Sequence, residues 1–213
     1  MDKNMKAVYK KRIEKTIKNL KRRNINGYYV HDLEQLKEQM DDLIVDKSSV
    51  AVGGSMTLFE TGIIDYLRSR DLEFHDRYEE GLDPAQMKAL HRSVFSSDVF
   101  ISGTNAITED GEIYNVDGSG NRVAPMIYGP DKVVVIVGAN KIVKNLEEAR
   151  NRNKYIAAPA NVQRLQMKTP CLETGACTEC LSPQRICNIY TVIDRQFDPN
   201  RLHVIFLNNS YGY

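Results

Sequence analysis

An apolar triplet, Val50-Ala51-Val52, runs directly into Gly53-Gly54-Ser55, then a helical stretch to about Ser69, then a short strand from Leu72 to His75. Strand, helix and strand in that order form a β-α-β unit, with parallel strands and a right-handed crossover. The alternation continues downstream. Asp83-Pro84 opens a helix with proline at its first position and Gln86 as capping partner, ending near Ser97. Val99-Phe100-Ile101 reads as a strand, and Lys132 to Val137, the most β-branched stretch of the chain, as a buried one. Asn145-Leu146-Glu147-Glu148 caps the next helix, a short helix follows Pro159, and His203 to Leu207 is a last strand. The expectation is an α/β fold with a mainly parallel sheet flanked by helices. Its 213 residues suit one domain of ordinary size.

Residues 1–45 read as an N-terminal helical segment packed on the core, leaving 46–213 for the α/β domain. Tyr9, Ile13, Ile17 and Leu20 recur at i, i+4, i+8 and i+11, one apolar face. A second helix starts at Asp32, which can cap it with Gln35, and presents Leu33, Leu36, Met40 and Leu43. Residues 1–24 hold ten Lys and Arg against Asp2 and Glu14, a net +8, which leaves −7 for the rest of a chain whose total is +1. So small a total gives no general case for nucleic-acid binding. The basic head has no aromatic on its basic face, Tyr9 lying on the apolar one, and reads as a solvated amphipathic helix. No apolar run approaches the ~18 residues of a membrane helix. The first 25 residues lack the apolar core of a secretion signal, so a cytoplasmic protein without membrane association is expected.

Two loops carry candidate ligand-binding residues. Gly53, Gly54, Ser55 and Thr57 sit where a strand's carboxyl end meets a helix, a place where glycines allow close backbone approach and an anion is favoured. The spacing fits neither the dinucleotide fingerprint nor the Walker loop. Glu60 either joins this site or closes a capping box with Thr57. Asp76, past the next strand, can read a ribose or neutralise Arg77. The second loop, residues 103–122, is dense in Gly, Asn, Asp and Thr. Asp110-Gly111 predicts a hairpin over 107–116. Asn105, Asp117, Asn121 and Arg122 are read as a pocket wall, and Lys141 as a further cation at the same sheet edge.

All four cysteines, Cys171, Cys177, Cys180 and Cys187, lie within one short segment. Without a secretion signal, this points to metal ligation before disulfides. Small, turn-forming neighbours and four thiols suit an iron–sulfur cluster, of which the four-iron type takes four thiolates. Zinc is the alternative, although structural zinc sites more often show two C-x2–4-C knuckles and this segment has one. Thiols without metal are the third reading.

Val-Gly-Gly-Ser-Met-Thr, Gly-Thr-Asn-Ala-Ile-Thr-Glu-Asp-Gly, Asp-Gly-x-Gly-Asn-Arg-Val, Tyr-Gly-Pro and Pro-Cys-x5-Cys-x2-Cys-x6-Cys-Asn, in order over about residues 10–213, resemble the LUD (lactate utilization) domain family. The family looks like the broader group of ribose-5-phosphate isomerase, CoA transferases and the regulatory subunits of translation initiation factor 2B. The resemblance implies a Rossmann-like sheet with its ligand site at the carboxyl edge, and a link to oxidation of L-lactate alongside iron–sulfur partner proteins. Where the isomerases carry a catalytic acidic residue this chain has Asn105, which cannot act as a base, and their downstream lysine is matched by Val116 or Asp117. Sugar-phosphate isomerisation is therefore not expected. The leading expectation is hydroxy-acid utilization, with a small anionic metabolite at the glycine loop and a cluster on the cysteines. A non-redox enzyme or binding subunit for a phosphorylated or CoA-linked metabolite, with structural zinc, is the alternative; a homo-oligomer is left open.

Overall fold

The computed structural model describes residues 2–213 and resolves the alternation into two sheets. In chain order the elements are α1 (Lys3–Arg22), β1 (Asn26–Val30), α2 (Leu33–Leu43), β2 (Ser49–Val52), α3 (Met56–Glu60), α4 (Ile63–Arg68), β3 (Glu73–His75), α5 (Pro84–Ser93) and β4 (Val99–Gly103). There follow β5 (Ala106–Thr108), β6 (Ile113–Asp117), α6 (Val123–Ile127), β7 (Lys132–Gly138), β8 (Ile142–Val143), α7 (Leu146–Arg152), α8 (Ala158–Leu165), α9 (Cys171–Thr174), β9 (Ile189–Ile193) and β10 (Leu202–Leu207). The larger sheet has the order β1-β10-β7-β4-β2-β3, and every neighbouring pair is parallel. The smaller sheet, β8-β5-β6-β9, is mixed.

Strand β7 shows why the large sheet is covered on both faces. Side chains alternate along a strand. Val133, Val135 and Val137 pack with Ile13 and Leu20 of α1, Ile107 and Ile113 of the hairpin, and Phe100 and Phe206. Val134 and Ile136 pack on the opposite face with Leu36 and Met40 of α2, Leu58 of α3 and Leu67 of α4. The carboxyl ends of β2, β4 and β7 thus open at one edge between two buried layers.

The capping chemistry follows the residue types. The Asp32 carboxylate accepts from the Gln35 N–H (2.9 Å). Asp83 and Gln86 close a reciprocal box, both bonds 2.8 Å. The hairpin forms as expected, with Thr108 N–H donating to Glu112 C=O (2.9 Å) and Gly111 at φ +95°, a conformation that favours glycine. The helix expected through Ser69 is two helices, because the chain turns through Gly62 at φ +70° between them. The segment 1–45 is not wholly helical: β1 forms the edge of the large sheet, paired with β10 from Asn26↔His203 to Val30↔Leu207. Only Val30 of β1 is fully buried, so the apolar alternation that marks a strand is missing from it.

The basic head lies against the hairpin. Of the periodic face, Ile13 and Leu20 are buried and Tyr9 and Ile17 partly so, with Thr16 buried beside them. Glu109 accepts from Arg12 Nε (2.8 Å) and Lys15 Nζ (2.7 Å), while Arg23 pairs with Asp194 and donates to the Asp110 carbonyl. The Lys15 and Arg12 bonds hold the Glu109 carboxyl below its ordinary range. Among the described residues no helix is long and apolar enough to cross a membrane. Ile13→Ala should lower the unfolding free energy by about 2–5 kcal/mol. Lys18→Ala, on the exposed face of the same helix, should change it by no more than about 0.5 kcal/mol in urea denaturation.

Candidate functional site

A cavity of about 290 Å³ opens at the carboxyl edge. Gly54, Ser55, Asn105, Asp117, Asn121, Arg122 and Lys141 line it, bringing both predicted loops to one place. Gly53, Thr57 and Glu60 do not line it. Gly53 lies beneath: a Cβ there would stand 2.7 Å from Ser102 Oγ and 2.8 Å from Arg122 Cγ, so the absent side chain is what lets the Arg122 stem pass. Thr57 sits behind Lys141. Helix α3 begins at Met56 with Ser55 as its N-cap, so Thr57 is already inside the helix and no Thr57–Glu60 capping box forms. Glu60 accepts instead from the Gly212 N–H (2.7 Å). Asp76 pairs with Arg68 (2.8 Å), not with Arg77.

Arg122 is partly buried and its guanidinium meets only neutral oxygens. It donates to Asn115 Oδ1 (2.6 Å), Asn105 Oδ1 (2.8 Å), the Val116 carbonyl (2.9 Å) and the Gly103 carbonyl (3.3 Å). Asp117 holds the following turn, its carboxylate accepting from the N–H groups of Gly118, Arg122 and Val123. Asn121 leans on His91 (3.3 Å). Lys141, 3% exposed, donates from Nζ to Thr57 Oγ1 (2.9 Å). Arg152, 7% exposed, donates to the carbonyls of Asn140 (3.0 Å) and Asn105 (2.6 Å). Desolvation pushes the Arg122 pKa down, takes Arg152 to about 10, and, with Arg152 and Arg122 nearby, takes Lys141 to about 7. Among the described residues none of these three cations has a carboxylate within 4.0 Å.

Several residues of the site carry little signal in the sequence. Asn115 and Arg152 orient the site, and Arg77 and Arg164 line the cavity as further cations. Asn115 lies in a strand and Arg152 at a helix end, where nothing local distinguishes them from surface polar residues. Asn115 sits in the same polar stretch as Asn105, and that nearness was the available signal.

All four cysteines line a second, smaller cavity, with Ala158, Val162 and Ile186 in its wall. Cys187, Ile186 and Ala158 also line the first cavity, so the two share a wall. The segment is held by Arg185, whose guanidinium donates to the carbonyls of Cys187 (2.9 Å) and Cys180 (2.8 Å). The Glu179 N–H donates to Cys177 Sγ (3.3 Å). Burial, with Cys177 next, pushes the Cys187 thiol up to about 11. Four thiols around one small cavity fit a four-thiolate group by donor chemistry. They are not gathered into a single-ion site: among the described residues no group of three or more His, Cys, Asp or Glu side chains is placed to hold one metal ion.

The LUD domain family model matches residues 13–207. No curated protein matches the chain by sequence. A crystal structure of a DUF162 family protein from Deinococcus radiodurans is similar at 15% identity and TM-score 0.51, over 95% of this chain and 98% of that one, a likeness of fold alone. Two more distant structures carry no argument. The eIF2B beta of Chaetomium thermophilum has 14% identity and TM-score 0.37 over 56% of this chain and 42% of its own. A ribose 5-phosphate isomerase from Plasmodium falciparum has 14% identity and TM-score 0.32 over 53% of each chain.

Two outcomes follow from the geometry. Gly53→Ala should cost about 1–3 kcal/mol, because Ser102 and Arg122 must move. At Gly54 a Cβ meets nothing closer than 3.6 Å, so Gly54→Ala should stay within about 0.5 kcal/mol in the same denaturation assay. Lys141 gives a pH signature. Its pKa is about 7 in the fold against 10.5 as the ordinary value, so between these pH values the unfolded chain holds a proton that the folded chain lacks. Folding is then increasingly favoured as pH rises through that window. Lys141→Met removes the effect, so the gain in thermal stability over the parent should be larger at pH 7 than at pH 10.

Proposed function

The chain belongs to the LUD domain family, and on that premise we propose that it serves lactate or related 2-hydroxy-acid utilization, binding a small anionic metabolite beside an iron–sulfur cluster on Cys171, Cys177, Cys180 and Cys187. One observation carries the reading: Lys141, Arg122 and Arg152 sit close together at the sheet edge without a carboxylate partner. Buried charge is costly unless paired, and a carboxylate or phosphate in the cavity supplies the missing counter-charge. Arg77 and Arg164 draw the anion in, and among the described residues Asp117 is the one acid in the lining. Asn105 and Asn115 hold the Arg122 guanidinium with their amide oxygens, so its charge stays directed at the cavity without being cancelled.

When bound, an iron–sulfur cluster supplies electron transfer at a potential set by its surroundings. The residues that would hold it are the four cysteines, positioned by Arg185 and the Glu179 N–H. Cys187 stands in the wall common to both cavities, so a bound metabolite lies next to the thiol set. Electrons would pass on to iron–sulfur partner proteins.

Protein purified without oxygen should be brown and contain iron and sulfide, with visible absorbance lost in Cys177→Ser and Cys180→Ser. A colourless protein with stoichiometric zinc overturns the redox part of the reading. Calorimetric titration with L-lactate, pyruvate and inorganic phosphate should show binding that weakens about tenfold in the Arg77→Gln, Arg164→Gln double variant. Preference for phosphate alone points to a phosphorylated metabolite in place of a hydroxy acid.

A further inference from the structure

Lys141 stands among the cations of the site, but its surroundings suit a neutral amine. Burial leaves it 3% exposed, the Thr57 hydroxyl is the sole hydrogen-bond partner of its Nζ among the described residues, and that hydroxyl in turn donates to the Tyr211 carbonyl (3.2 Å). Arg152 and Arg122 face it from α7 and from the start of α6. The one carboxylate whose field reaches it, that of Glu60, is engaged by the Gly212 N–H. An ammonium so placed is largely desolvated and, among the described residues, has no carboxylate within 4.0 Å, and its pKa falls to about 7. A desolvated lysine beside other cations is the usual arrangement for amine nucleophiles that attack carbonyl groups.

The rest of the cavity indicates which carbonyl. Arg77, Arg122 and Arg164 line it against Asp117 alone, so the ligand must carry a carboxylate or similar anion. The volume of about 290 Å³ keeps it small. We propose that Lys141 is a nucleophile that captures the keto group of a small 2-oxo acid as an imine. The proposal rests on the reading that this pocket admits small carboxylates. It adds that the oxo-acid member of a hydroxy-acid/oxo-acid pair is held covalently. The Nζ lone pair forms a bond to the carbonyl carbon, and the carbon–oxygen π pair moves to oxygen. That oxygen then leaves as water with the two Nζ protons, and a C=N bond remains. A proton from solvent on the imine nitrogen restores the positive charge at this position, now paired with the ligand's own carboxylate. No oxidant or reductant is consumed.

Reductive trapping tests this directly on the full chain. Protein incubated at pH 7 with pyruvate and sodium cyanoborohydride should gain one 1-carboxyethyl group, located at Lys141 by peptide mass mapping. At this pH the neutral fraction of Lys141 exceeds that of an ordinary exposed lysine, with a pKa of about 10.4, by about a thousandfold, and even with the lower basicity of its amine Lys141 should be labelled at least about a hundredfold faster. Mapping separates it from the N-terminal amine, whose pKa of about 7.7 also permits labelling. Inorganic phosphate should slow labelling at Lys141 and leave the exposed lysines unaffected, and Lys141→Arg should abolish the fast phase. Labelling of Lys141 no faster than that of exposed lysines overturns the proposal. If calorimetry still shows pyruvate binding, only the imine fails and the anion pocket stands. If pyruvate neither binds nor labels, both fall together.

Discussion

The guanidinium of Arg122 joins the two sheets of this protein. Its donors reach Gly103 at the end of β4 in the large sheet and Asn105, Asn115 and Val116 of the hairpin region in the small one. Four acceptors on one planar group fix the angle at which the hairpin stands over the sheet edge, since a guanidinium presents its donors in a rigid fork. The approach is permitted by Gly53, where any side chain would occupy the space of the Arg122 stem. Because every acceptor is neutral, the joint leaves its positive charge uncancelled beside the cavity.

Charge is therefore distributed by function. The basic head is matched in part inside the molecule, by Glu109 and Asp194 around Arg12, Lys15 and Arg23. The cations at the sheet edge have no such match, and amide and carbonyl oxygens orient them. Coulomb attraction at a screened surface and a fixed field in a desolvated pocket differ in strength. The few cations in the pocket thus say more about ligand chemistry than the many on the head. The cysteine cavity adjoins this pocket through Cys187, and the proposed redox role rests on that shared wall.

Much of this architecture was legible in the sequence where one local rule dominates. Val133 to Val137 is buried because the β-branched run suits a strand covered on both faces. Asp83 with Gln86 and Asp110-Gly111 formed the cap and turn their side chains and backbone freedom dictate. Strand β1 was not legible, because its Asn-Gly-Tyr-Tyr-Val run is half exposed at a sheet edge and owes its conformation to β10, far away in sequence. Strand β9 was passed over for a related reason: Ile189 to Ile193 alternates in burial, but it follows the cysteine segment and pairs with β6 only once the hairpin exists.

By itself the sequence determined most of the succession of strands and helices, the turn and caps, the polar stretch that lines the larger cavity, and the gathering of thiols in one segment. These depend on side-chain shape, backbone freedom and spacing, all of which are local. Tertiary structure decided which polar residues face one another. It placed Arg152 beside Lys141, withdrew Glu60 to the Gly212 N–H and set Cys187 in the wall between two cavities. The physical reason is that desolvation and counter-charge belong to a place in space, not to a residue. Lys141 is an ordinary cation in the sequence and becomes a candidate nucleophile only where the fold removes its water and surrounds it with other cations.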